Sequence, residues 1–164
     1  MVTYASLRKN EAVNTYIDQA DKSLRALGYT EHSFIHVTRV AETARKILQT
    51  LGFPERECEL AAIAAYLHDI GNLINRTDHS QSGALMAFRI LDKLGMPPAE
   101  IAAVATAIGN HDEGTGVPVS PMAAALILAD KSDVRRDRVR NPDPASFDIH
   151  DRVNYSVRES RLRI

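Results

Sequence analysis

The chain has 164 residues, 45% of them hydrophobic and 25% charged, with a formal net charge of -1. That balance fits one globular domain with a real core and excludes a basic field that would recruit nucleic acid by electrostatics alone. A single cysteine, Cys58, excludes an internal disulfide framework, and no apolar run approaches the roughly 18 residues of a membrane span.

The N-terminal twenty residues carry no apolar signal core, so the expectation is a cytoplasmic protein with no membrane or nucleic-acid partner. Val13, Ile17, Ala20, Leu24 and Leu27 recur at helical spacing and predict a first helix over residues 8–27, stopped by Gly28. Val37, Val40, Ala41, Ala44, Ile47, Leu48 and Leu51 predict a second over 35–51, closed by Gly52. Pro54 precedes a third, about 56–70, with Gly71 as its expected C′ residue. A polar loop leads to a fourth at about 80–94, ending at Gly95; Pro97 and Pro98 open a fifth that runs to Ile108. The loop "NHDEGTGVPVSP" then reaches a sixth helix opened by Pro121, apolar through Ala129 and strongly charged afterwards. Beyond Asn141 the helical period stops, and "VNYSVRESRLRI" alternates weakly, as a strand does. The expected architecture is all-α, a bundle of about six main helices over residues 1–140. A C-terminal extension, 141–164, is expected to be irregular or shortly β-like.

Four histidines fall at the predicted helix ends: His36, His68, His79 and His111. Asp69 adjoins His68, and Asp130 lies where the sixth helix turns from apolar to charged. Imidazole and carboxylate together suit Fe, Mn, Zn, Co or Ni. Neighbouring helical residues point about 100° apart, so a His-Asp pair does not clamp one ion from one face but can lie between two. Each residue also has a plainer role. His32 and His36, four apart, form either a small site on one helical face or a coincidence; His150 reads as surface, and Glu31, Asp112 and Glu113 as solvated loop acids.

Taken together, "HVTRVAETA" from His36, "LHDIGN" around His68 and Asp69, and "ILADKSD" around Asp130 resemble the HD superfamily of metal-dependent phosphohydrolases, over about residues 32–135. The resemblance implies an all-α fold with a metal site at its centre. "HSQSGA" from His79 is similar to the His-x-x-x-Gly-Ala of the binuclear branches, including the bacterial symmetric diadenosine tetraphosphate hydrolases. "AIGNHDEGTG" puts His111 where those branches carry another metal histidine. The implied ligand set is His36, His68, Asp69, His79, His111 and Asp130. Asp69 would bridge two divalent cations (iron, manganese or another transition metal, with magnesium also open). His36, His68 and Asp130 would hold one, and His79 and His111 the other. Val117 and Asn110 stand where the cyclic-dinucleotide branch has tyrosine and histidine, which argues against that substrate.

The implied reaction is hydrolysis of a nucleotide or other small phosphate ester by activated water, with Asp69 and His68 central to catalysis. Arg39, one turn after His36, and Lys131, next to Asp130, are the candidate cations for steadying substrate; Asp133 is a candidate for orienting a ligand. Arg135, Arg136 and Arg138 read as a salt-bridged face. Other readings stay open: a mononuclear nucleotidase, a di-iron oxygenase, and a non-catalytic module that binds a nucleotide or partner, with a homodimer also open.

Overall fold

Side-chain caps and glycine stops set the helix boundaries. Asn10, Ser33 and Ser120 accept backbone N–H groups of the turns they precede, and the chain leaves three helices through Gly28, Gly52 and Gly95, all at positive φ. A computed structural model describes residues 1–164. It holds α1 (Tyr4–Leu7), α2 (Glu11–Ala26), α3 (Phe34–Thr50), α4 (Glu55–Leu67), α5 (His79–Lys93), α6 (Pro98–Gly109), α7 (Pro121–Ser132) and α8 (Ile149–Ser156), with no strand. No helix is long and apolar enough to cross a membrane.

The core is built around α4. Cys58 and every residue from Leu60 to Leu67 are buried, and the helix packs against α3, α6 and α7. A helix surrounded in this way loses its polar face. Ala61, Ala62, Ala64 and Ala65 keep its surface thin, so that its neighbours approach closely.

After α4 the chain departs from expectation. Gly71 does not close the helix in a left-handed turn; it lies inside a 3-10 turn, Ile70–Leu73. It is glycine for a different reason. A Cβ there would lie 2.0 Å from His79 O and 2.5 Å from Gly83 N, so the backbone of α5 crosses directly over it. Just before α5, Asp78 is the one non-glycine residue at positive φ (55°), and its turn delivers His79 as the first residue of that helix.

The tail also differs. Residues 149–156 form a helix within the extension expected to be irregular or shortly β-like, and no strand forms in the alternating stretch 153–164. Asp148 caps it by accepting from Asp151 N, and Asn154 Oδ1 accepts Arg135 N at 2.9 Å. Phe147 packs edge-on to Tyr155, and the Arg136 guanidinium lies 4.3 Å from the Tyr155 ring centroid. Two turns are too short for a periodic apolar pattern to emerge in the sequence. The rest of the extension is irregular, with Ser160 Oγ donating to Ser132 O at 2.9 Å.

Candidate metal centre

Five elements bring their ends to one point. α3 carries His36 in its first turn, α4 ends at His68 and Asp69, α5 begins at His79, His111 follows α6, and Asp130 sits in the last turn of α7. All four histidines and Asp69 are buried. The loop before α3 adds a fifth imidazole, His32, which is not on the helix at all.

Every one of these rings is held from behind. Nδ1 of His68 lies 2.7 Å from Ala65 O, that of His111 2.6 Å from Ile108 O, that of His79 3.1 Å from Arg76 O, and that of His32 2.7 Å from Thr30 O. A carbonyl only accepts, so each Nδ1 carries the hydrogen. His36 Nδ1 instead meets Asp133 Oδ2 at 2.9 Å. Each Nε2 therefore points forward, and all five point at Asp69. Oδ2 of Asp69 faces His68, His36 and His32 at 3.1, 3.6 and 3.9 Å; Oδ1 faces His79 and His111 at 3.5 and 3.9 Å. Asp130 Oδ1 closes the first side, 3.2 Å from His36 Nε2 and 3.7 Å from His68 Nε2.

The Nε2 atoms of His36 and His68 and the Oδ2 of Asp69 are buried with no hydrogen-bond partner. Such groups are costly unless satisfied. With Nδ1–H fixed outward, a neutral ring presents a lone pair to a carboxylate that also presents lone pairs. A cation between them resolves that opposition, and carbonyl or carboxylate partners on the far nitrogen are what orient metal-ligating histidines. Ligand atoms of His36, His68 and Asp130 lie within 4.8 Å of one another, as do those of His68, Asp69 and His111. The donor set therefore fits divalent metal.

Protonation follows the same geometry. Burial lowers the pKa of His32 to about 3 and that of His111 to about 4, so both rings are neutral at ordinary pH. Burial also opposes charge on His36 and His68, but the carboxylates of Asp69 and Asp130 (with Asp133 on His36) outweigh it and raise them to about 9 and about 10. The same contacts hold Asp69 and Asp130 well below the usual carboxylate range, against the effect of burial. Without metal, protons thus stand in for cations. Those ion pairs stabilise the metal-free fold fully below about pH 6.5, the unfolded histidine value. They are lost as pH rises through the folded values of about 9 and 10. Metal has to displace these protons, so apparent affinity should climb with pH until His36 and His68 are neutral. Titration with a chelator-buffered transition metal at several pH values checks this; an affinity independent of pH would contradict it.

Asp133 is the partner of His36 Nδ1 and is itself held by Arg135 Nε at 2.8 Å. Asp133→Asn should weaken metal binding by about 10- to 100-fold while leaving helix content intact, measured by competition with a chromogenic chelator.

Beside the imidazoles opens a cavity of about 440 Å³. Lys131 lies at its edge, with Nζ 3.0 Å from Asp130 Oδ2 and 3.2 Å from Glu113 Oε2. Arg39 does not reach it. His36 is in the first turn of α3, the helix runs away from the cavity, and Arg39 lies exposed in a separate groove with Ser132 and Ser160. Glu31 is no solvated acid: it is buried, accepting Ser33 N and Arg135 Nη2, each at 2.7 Å. Arg138 is buried as well, donating to Glu31 O and Asp133 O. Arg76 and His32 line the cavity, and Ile149, His150 and Val153 of α8 form one wall. No spacing in the sequence singles out Arg76 or that wall. The i, i+4 relation of His32 to His36 was the only local sign of the former's place.

Residues 33–135 match the HD domain family. An uncharacterized protein of Methanocaldococcus jannaschii is 29% identical over 184 residues, which cover 98% of this chain and 70% of that one. A crystal structure described as a predicted HD superfamily hydrolase, from an uncultured Thermotogales bacterium, is similar at a TM-score of 0.58 and 27% identity. That likeness covers 74% of this chain and 67% of the other.

Proposed function

This chain belongs to the HD domain family, and from that premise we propose that it is a metal-dependent phosphohydrolase using two divalent cations shared by Asp69 to cleave a nucleotide or other small phosphate ester. The observation that supports this reading most is the convergence of five Nε2 atoms on the two oxygens of one buried carboxylate. Cations held there would polarise a phosphoryl oxygen and lower the pKa of water, so that hydroxide attacks phosphorus near neutral pH.

The side chains divide naturally. His36, His68 and Asp130 would hold one cation with Asp69, whose Oδ2 the two histidines and His32 surround. His79 and His111, which face Asp69 Oδ1, would hold the other. The Asp69 carboxylate keeps the two halves in register and orients the attacking water. It is fixed by Asn72 Nδ2, which donates to Oδ1 at 3.1 Å and to Asp69 O at 2.9 Å. Burial excludes competing water and strengthens every charge interaction in the site. Lys131 partly neutralises Asp130 and Glu113 at the rim, where an anionic substrate enters. Ile149 and Val153 give the organic part of the ester an apolar surface to rest on.

Metal content per chain, measured by mass spectrometry on protein purified without chelators, tests the reading together with assays on phosphomonoesters, nucleotides and dinucleoside polyphosphates. About two ions and turnover of one of these classes are expected. One ion would favour a mononuclear nucleotidase in which His79 and His111 contact phosphate. Failure to take up any metal would count against the whole scheme.

A further inference from the structure

Three permanent cations line the cavity, and only one lacks an acid. Lys131 is paired with Asp130 and Glu113; Arg138 donates to the backbone carbonyls of Glu31 and Asp133 and lies 4.0 Å from the carboxylate of each. Arg76 has no carboxylate partner: the one polar contact of its side chain is Nη1 to His79 Nε2, at 3.4 Å. Its guanidinium stacks over Tyr29, 5.5 Å from the ring centroid. Arg76 comes from the loop before α5 and Tyr29 from the loop before α3, so the stack joins two loops at the cavity wall.

We propose that Arg76 is the residue that binds the substrate's phosphoryl group, held in place by Tyr29. This rests on the phosphohydrolase reading and names the group that Lys131 and Arg39 leave unassigned. A guanidinium is always charged, and one partly withdrawn from water without a counter-charge is unbalanced until an anion arrives. Its planar fork matches two oxygens of a phosphoryl group, and stacking on an aromatic face fixes the plane of that fork. Its present contact places it correctly. His79 Nδ1 donates to Arg76 O, so His79 Nε2 accepts from Arg76 Nη1. With a cation held by His79 that lone pair would be taken up, leaving Arg76 Nη1–H without an acceptor beside it. A phosphoryl oxygen bound there would accept from Arg76 Nη1–H. The ligand class is a terminal phosphate dianion, as in a phosphate monoester or the end of a nucleotide.

The test is the affinity of metal-loaded protein for inorganic phosphate, read by calorimetry or as competitive inhibition, alongside metal per chain and helix content. Arg76→Met should weaken phosphate binding roughly 10- to 100-fold, the worth of charged hydrogen bonds, with metal content unchanged. Arg76→Lys keeps the charge and loses the fork, and should recover only part of that affinity. Tyr29→Leu should weaken phosphate binding about two- to fivefold, from the lost cation–π contact, again without metal loss. Equal phosphate affinity in Arg76→Met and the wild type would overturn this assignment alone. Loss of metal in both Arg76 variants would also overturn it, because Arg76 would then be supporting His79. Wild-type protein that takes up metal but binds no phosphate would overturn it together with the hydrolase reading.

Discussion

Asp69→Asn should lose hydrolysis by at least about a thousandfold and lose metal from both halves of the site. One preorganised electrostatic group is commonly worth about a hundred- to a thousandfold in rate. Asp69 should exceed that, because its two oxygens serve both groups of imidazoles: Oδ2 faces His32, His36 and His68, and Oδ1 faces His79 and His111. Asparagine keeps the shape, so Asn72 still finds an oxygen and the helices should persist by circular dichroism. Its amide cannot bridge two cations with two anionic oxygens. His68→Ala should behave similarly but remove less metal, since it clears ligand atoms from a single side chain. Asp69→Asn protein that retained two ions and full turnover would sink the ligand assignment.

Gly71→Ala should be the most damaging single methyl group in the chain. The new Cβ meets backbone, His79 O at 2.0 Å and Gly83 N at 2.5 Å, and backbone cannot step aside as a flexible side chain can. Forced overpacking of this kind costs about 3 kcal/mol at the upper end of the usual range. In a domain of this size that is a fall of about 6–12 °C in thermal midpoint. The collision also pushes the start of α5 away from the end of α4, which separates His79 from Asp69. Metal bound on the Oδ1 side should therefore be weaker even where the protein stays folded. By contrast, Gly52→Ala meets nothing within 4 Å and strains only a left-handed turn at φ 78°, at a cost of about 1–2 kcal/mol. Thermal melts of the two variants side by side separate the causes; equal losses would show that the backbone crossing at Gly71 yields to a methyl group.

Much of this protein was written into its sequence by local rules. The apolar spacing of Val37, Val40, Ala44 and Leu48, the caps at Asn10, Ser33 and Ser120, and the stops at Gly28, Gly52 and Gly95 concern residues within a turn or two of each other. Chain-local chemistry is enough to start and end a helix, so the all-α architecture was legible. So was the ordered set of histidines and aspartates, because each falls at or near a helix end. What the tertiary structure alone decided concerns residues far apart in the chain. It turned Gly71 from a helix stop into a crossing point for α5, brought His32 to the same carboxylate as His36, and buried Glu31 beneath Arg135. It moved Arg39 out of the cavity, brought Arg76 in, and folded the tail into a helical wall. A helix periodicity records which face meets the core. Where a long cation ends, or which backbone crosses a glycine, is set by the angles at which distant segments pack, and no short stretch of sequence carries that information.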